Sequence, residues 1–538
     1  MVKRLLRLSL LLLALLSVRA GAAPAEAFPG LNRKWTHYQS PNFELYSCRN
    51  EAISREILER MELLRAVFLD TFKLPVRMPQ PVTLYCFSSE KDFKGYMPAN
   101  RRGVSYDGFC LAHPDRTVIT LAPTWSGETG GEVVYHEYIH CLMHMAEENP
   151  LPWYNEGVAE LFSSVTADQK WVTFGNPLPG RVYTLQQRKL MSLGKLFTVT
   201  YDDPLWRSED GTSLLYAESW ILLHYLFFGE NQIPAPKSSL FLRAASTQLA
   251  QKQPEEFRAF TRETLGTDYP GLEAQLDRYI RSGRFMGRKV LRPTIAAPKS
   301  YAMRAVGAEE MTLRLAELAL RYTDSGYANL TIRNEVQRQP DARLNEVLGA
   351  MAQQAGELDV ARERWLAAVE LGSQNVAVYR ELGRLESNLV FGQFNLDYRL
   401  PEERAARLRL LIGKSLEAAP AQITGYEMLA WVEATAQKPD VTSVIRVQKE
   451  FNRLNDKPRT LLALVMVRMR LGQTKEALAL LDDMNKLQPN DWALFCAELT
   501  RARLENRPVD ETKLPPSNGR RVGNLVIMPP KMELKPPH

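Results

Sequence analysis

The pentapeptide His136-Glu137-Tyr138-Ile139-His140 requires an uninterrupted helix, and Glu156, sixteen positions after His140, requires a second element that folds back onto it. A helix turns once in about 3.6 residues, so side chains four apart share a face and two imidazoles can converge on one ion. Residues 132 to 143 contain neither Gly nor Pro, and apolar residues flank both histidines. With 7 His and 62 acidic residues in 538 positions, an H-[DE]-x-x-H run arises by chance in about one such chain in a hundred. A metal site is the stronger reading, with zinc the expected ion, one per chain.

Three residues compete to be the third donor. His144 continues the row of His136 and His140, but at about 1.5 Å of rise per residue it lies roughly 12 Å along the axis from His136. One tetrahedral ion cannot hold both ends. Pro150 and Pro152 end the first helix, and 153 to 165 reads as a second one that can pack against it, carrying Glu156 and Glu160 on one face. Glu156 is assigned to the metal and Glu160 to the imidazole N–H behind it, where a carboxylate fixes the tautomer. Two His and one Glu leave the fourth position open, as a catalytic zinc needs. Glu137 then sits beside the ion and can move a proton between water and a leaving amine.

These residues carry a family resemblance. His136-Glu137-x-x-His140 followed by Asn155-Glu156-Gly157-Val158-Ala159-Glu160 resembles the gluzincin peptidases, and Pro152-Trp153-Tyr154-Asn155-Glu156-Gly157 is similar to a segment of the bacterial peptidase-MA-like domains. The resemblance covers roughly residues 30 to 285. It implies an α+β, thermolysin-like domain with His136, His140 and Glu156 on zinc, Glu137 as general base and acid, and Glu160 behind the ligands. The interval from His140 to Glu156 is shorter than in thermolysin. The glycine-alanine-methionine-glutamate-asparagine segment that holds a free amino terminus in the large aminopeptidases is absent, which leaves aminopeptidase activity unsupported.

Other parts of this region are read from their own pattern. Residues 116 to 121 alternate and are rich in β-branched side chains, as in a strand that is either at a sheet edge, where it could pair with an extended peptide, or, on equal footing, an ordinary internal one. Residues 214 to 226 form an apolar helix in which Tyr216 or, less favoured, His224 can donate to a developing oxyanion; packing in the core is the competing role for each.

Lys3, Arg4 and Arg7 precede an apolar run from 8 to 18 and small residues up to Ala27, the pattern of a secretory signal peptide over 1–27. The mature chain is expected to be exported, to a bacterial periplasm or the medium, with no stable membrane span. Four basic residues and one acid leave with the leader, taking the net charge from +6 to +3. Near-neutral charge without a basic, aromatic-interleaved stripe argues against a nucleic-acid partner. The five cysteines are an odd number, and Cys86 with Cys110, both in apparent strands, is the pair considered for a bridge.

At 538 residues the chain exceeds what one core organises. The expected division is a peptidase domain over 28–285, a basic, Gly- and Pro-punctuated linker over 286–305, helical repeats over 306–506 and a disordered proline-rich tail over 507–538. Gly356, Ala361, Trp365 and Ala368 align with Gly472, Ala477, Leu481 and Met484 at the same spacing. This resembles tetratricopeptide repeats, an all-α solenoid whose concave face can hold a peptide substrate or partner protein. The functional expectation is an exported zinc peptidase whose repeats recruit substrate or partners. The opposing expectation is an interaction scaffold with a zinc-binding but weakly active or inactive peptidase domain.

Overall fold

The computed structural model describes residues 28–72, 81–98, 107–125, 131–145, 151–229, 235–245, 253–323, 325–391, 393–420, 422–454, 456–487, 489–510, 521–522 and 525–527. The proposed leader over 1–27 lies outside them. No helix among the described residues is long and apolar enough to cross a membrane.

An α+β region comes first. Its elements are β1 (Thr36–Gln39), β2 (Phe43–Ser47), α1 (Glu51–Phe72), β3 (Val82–Cys86), α2 (Glu90–Lys94), β4 (Gly108–Ala112), β5 (Thr117–Leu121), α3 (Glu132–Met145), α4 (Pro152–Ser163), β6 (Thr166–Ala167) and β7 (Trp171–Phe174). There follow α5 (Pro179–Gln187), α6 (Leu193–Leu196), α7 (Glu209–Phe228), α8 (Ala235–Ala245), α9 (Pro254–Leu265), α10 (Tyr269–Ser282), β8 (Arg288–Leu291) and β9 (Ala302–Ala305). Six strands form one mixed sheet in the order β4-β5-β3-β2-β1-β9, with β2, β3 and β5 mutually parallel and the outer pairings antiparallel.

Both faces of this sheet are covered, so every residue of β3 and of β5 is buried. Strand alternation sorts the side chains between two cores. Val82, Leu84, Ile119 and Leu121 join the core built with α1, α3, α4 and α7, whereas Tyr46, Tyr85, Phe109 and Val118 join a second core on the opposite face. That second core is completed from the helical half of the chain by Met311, Leu315, Leu318, Tyr322, Leu344 and Leu348.

The helical region contains eleven α-helices among the described residues: α11 (Ala308–Tyr322), α12 (Gly326–Arg338), α13 (Ala342–Gln354), α14 (Leu358–Glu370), α15 (Val376–Phe391), α16 (Glu402–Ala418), α17 (Ile423–Thr435), α18 (Val441–Glu450), α19 (Lys457–Arg470), α20 (Thr474–Asp482) and α21 (Asp491–Leu504). The two aligned segments make the same turn. Gly356 and Gly472 lie at φ 78° and 71°, and each N–H donates to the carbonyl three residues back while the next N–H reaches five back. Only a residue without a Cβ adopts that left-handed position at no cost, which explains the glycine at the head of both segments.

Buried charge fastens the helical region to the sheet. Arg321 grips Asp115 with two hydrogen bonds of 2.8 and 2.6 Å, Arg116 pairs with Asp115 and Glu346, Arg314 with Glu317, and Arg343 bridges Glu44 and Glu317. Asn375 adds hydrogen bonds to the Asp115 carbonyl and the Glu346 carboxylate.

Two expectations change, on the linker and the tail, and two open alternatives, on the strand and the cysteine pair, are decided. Residues 286–305 are not a linker, because β8 pairs with β7 and β9 extends the main sheet beside β1. The strand at 117–121 is interior, flanked by β4 and β3; the sheet edges are β4 and β9. Part of the tail is ordered, since 521–522 and 525–527 form a small sheet with 393–394. Cys86 and Cys110 cannot bridge, since β5 lies between their strands and two strand spacings put them about 10 Å apart, beyond the roughly 7 Å limit.

Candidate metal centre

Helix α3 carries both histidines and packs against β4, while α4 returns across it with Pro152 in its first turn. A proline is tolerated there because its missing N–H has no intrahelical partner. Gly157 lets α4 reach its other neighbour: a Cβ at that position would stand 2.6 Å from the carbonyl oxygen of Ser219 on α7. The glycine after Glu156 is thus a packing requirement that holds α4 between α3 and α7.

This arrangement brings His136, His140 and Glu156 together. The two Nε2 atoms are 3.0 Å apart, and Glu156 Oε2 lies 3.2 Å from that of His136 and 3.3 Å from that of His140. Donors about 2.0 to 2.1 Å from a tetrahedral zinc stand roughly 3.3 Å from one another. Glu156 Oε2 is buried yet has no hydrogen-bond partner of acceptable geometry. A buried carboxylate oxygen without a donor is costly, and a cation equidistant from the three atoms removes that cost. The residues therefore fit a zinc ion.

The tautomers of both rings are set from behind. Glu160 Oε1 is 3.2 Å from His136 Nδ1, and Asn155 Oδ1 is 3.0 Å from His140 Nδ1. With a cation bound, a proton held on each Nδ1 would leave each Nε2 with its lone pair directed at the ion. Glu160 in turn accepts two hydrogen bonds from Arg181 on α5, at 2.9 and 2.7 Å. Asn155 donates its amide to the Tyr201 hydroxyl at 2.8 Å.

The electrostatics couple the imidazoles to the carboxylates. Burial opposes charging His136, yet Glu156 and Glu160 on its two nitrogens outweigh that and push its pKa up to about 10. Burial would raise the Glu156 carboxyl, but His140 and His136 overcome it and bring it down to about 2. Glu160 is lowered in the same way, burial being outweighed by His136 and Arg181.

Tyr216 reaches the cluster from α7. Its ring centroid is 5.6 Å from that of His136, and the Arg181 guanidinium lies 5.0 Å from its ring. Burial, followed by the charges of Glu156, Glu137 and Glu160, holds its hydroxyl well above the ordinary phenol range, so it stays a proton donor. Glu137 is half-buried next to His136, among the carboxylates acting on Tyr216. His224 is not part of the site. It is fully buried, with Nε2 2.9 Å from the Gly175 carbonyl oxygen and Nδ1 2.8 Å from the Tyr279 hydroxyl, and burial lowers its pKa to about 4. Both nitrogens are spent on core hydrogen bonds.

Three neighbours of the cluster have no signal in the motif pattern: Arg181, Tyr201 and the orienting role of Asn155. Asn155 could have been found by its place beside Glu156, whereas Arg181 arrives from a separate helix. No family model and no curated protein matches the chain.

Proposed function

We propose that this chain is an exported zinc peptidase of the gluzincin type, with a thermolysin-like domain that hydrolyses peptide bonds and a tetratricopeptide-like region that recruits substrate or partner proteins. The observation that carries the reading is the triangle of Nε2, Nε2 and Oε2 with sides of 3.0, 3.2 and 3.3 Å. His136, His140 and Glu156 would hold the zinc, which when bound makes water more acidic and polarises a carbonyl.

The chain's own residues supply the rest. Glu137, beside His136 but outside the triangle, takes the proton of the attacking water and passes it to the departing amine. Tyr216 donates its hydroxyl hydrogen to the oxygen that gains charge as the carbonyl becomes tetrahedral. Asn155 and Glu160 keep the imidazoles in one orientation, so no reorganisation accompanies the reaction. Strand β4, at the sheet edge and packed on α3, would pair with an extended substrate backbone and lay it past the triangle. An extended strand gives affinity through the main chain, which suits endopeptidase action on unfolded or flexible protein segments.

Elemental analysis and a peptide-mixture digest test the reading together. The wild type should carry one zinc per chain and release chelator-sensitive products; His140→Ala should carry none. Glu137→Gln should keep its zinc and lose cleavage by about 10²- to 10⁴-fold. A wild type without metal would sink the proposal, and zinc without cleavage in any form would leave the scaffold reading.

A further inference from the structure

Among the five cysteines, Cys110 and Cys141 stand apart. Cys110 on β4 faces Cys141 on α3 with the two sulfurs 3.3 Å apart, and both residues are buried. Neither sits in a ring of metal donors, since Cys141 follows His140 by one position and so turns away from the face that carries the two imidazoles. The other thiols have different surroundings. Cys48 is 3.3 Å from the Ser88 hydroxyl and 3.4 Å from the Cys86 carbonyl oxygen, Cys86 lies within β3, and Cys496 is in the helical region on α21.

We propose that Cys110 and Cys141 form a disulfide at the potential of an oxidising compartment, tying the edge strand to the helix that carries His136, Glu137 and His140. The inference rests on the export part of the preceding reading, because such bonds persist outside the reducing cytosol. Bond formation needs the sulfurs to close by about 1.2 Å, within side-chain movement between elements already packed together. Each thiol loses its proton and the pair gives up two electrons to an external disulfide, oxidised glutathione or a dithiol oxidase, which leaves as two thiols.

The enclosed loop, with its ends 31 residues apart, contains both histidine ligands and the proposed proton carrier. Tethering its ends restricts the unfolded chain and holds α3 against β4 at the position next to His140. The bridge thereby helps hold that ligand in place while the metal is absent.

The test uses the full chain. Reduced protein is incubated in a glutathione buffer at an oxidising potential, denatured in an alkylating agent without reductant, and digested with trypsin. The expected result is three alkylated cysteines of five and one linked species joining peptides 103–116 and 117–170. Reduction should lower Tm by roughly 5 to 10 °C, and the Cys110→Ser, Cys141→Ser double variant should show no such response. Five free thiols after incubation, or a link between other cysteines, would overturn the assignment. Protein recovered from the export route is mapped separately. If it is fully reduced while the buffer forms the 110–141 link, the export reading has failed and the pair has not.

Discussion

The two faces of the six-stranded sheet both bury carboxylates, and they treat them differently. Towards α11 and α13, Glu44, Asp115, Glu317 and Glu346 meet four arginines, Arg116, Arg314, Arg321 and Arg343. Towards α3 and α4, Glu156 lies against two imidazoles, and Glu160 lies between one imidazole and Arg181. One face is balanced within the chain. The other sets carboxylates against imidazoles, with Glu156 Oε2 3.2 and 3.3 Å from two Nε2 atoms. Buried carboxylates paired with arginines hold elements together; carboxylates converging with imidazoles are the ground on which a cation site is proposed.

Removing one partner on the balanced face should have the largest effect on folding. Arg321→Met leaves Asp115 buried without its bidentate partner and should cost about 3 to 5 kcal/mol in denaturant unfolding. Zinc per folded chain should stay at one. A variant that kept its stability and lost its metal would erase the distinction between the faces.

The same pair predicts a pH response. Burial works to raise the Asp115 carboxyl, but Arg321 and Arg116 overcome it and hold it well below the usual carboxylate range. A lowered folded-state value means the stabilisation is complete at neutral pH and is lost as pH falls through that value, beginning below about 4 where the unfolded carboxyl takes up protons. In Arg321→Met the carboxyl protonates more readily, so the stability gap from wild type should narrow as pH falls from 7 towards 4. A gap that stays constant over that range would remove Asp115 as its source.

Smaller effects are expected behind the metal. Glu160→Gln should weaken zinc binding about 10- to 100-fold, measured by competition with a chromogenic chelator, because His136 loses the carboxylate that orders its ring. Arg181→Gln acts one shell further out, through Glu160, and should change zinc affinity by less than about tenfold. The reverse order of these two would show that the guanidinium, not the carboxylate, organises the ring.

The convergence of His136, His140 and Glu156 was legible because they lie on two helices whose periodicity is local. Glu160 followed from the same count, four residues beyond Glu156. Arg181 was not legible, since it comes from α5 with no spacing that links it to α3 or α4. The stretch 286–305 was misread for a related reason: the four residues of β9 are all exposed, and of β8 only Val290 is partly covered. Without an alternating apolar face, a strand is visible only through its hydrogen bonds to β1 and β7. Likewise 117–121 looked half-buried until β4 and a second core enclosed it.

A helix is written in residues three and four apart, so the chain alone specified where two imidazoles and two carboxylates would face one another, and which glycines end the repeated helices. Sheet order, the closing of both faces and the balance of buried charge join residues as distant as Asp115 and Arg321, 206 positions apart. Those pairings depend on which surfaces meet when the chain collapses. Only the folded molecule shows that one set of acids meets arginines and the other converges with imidazoles.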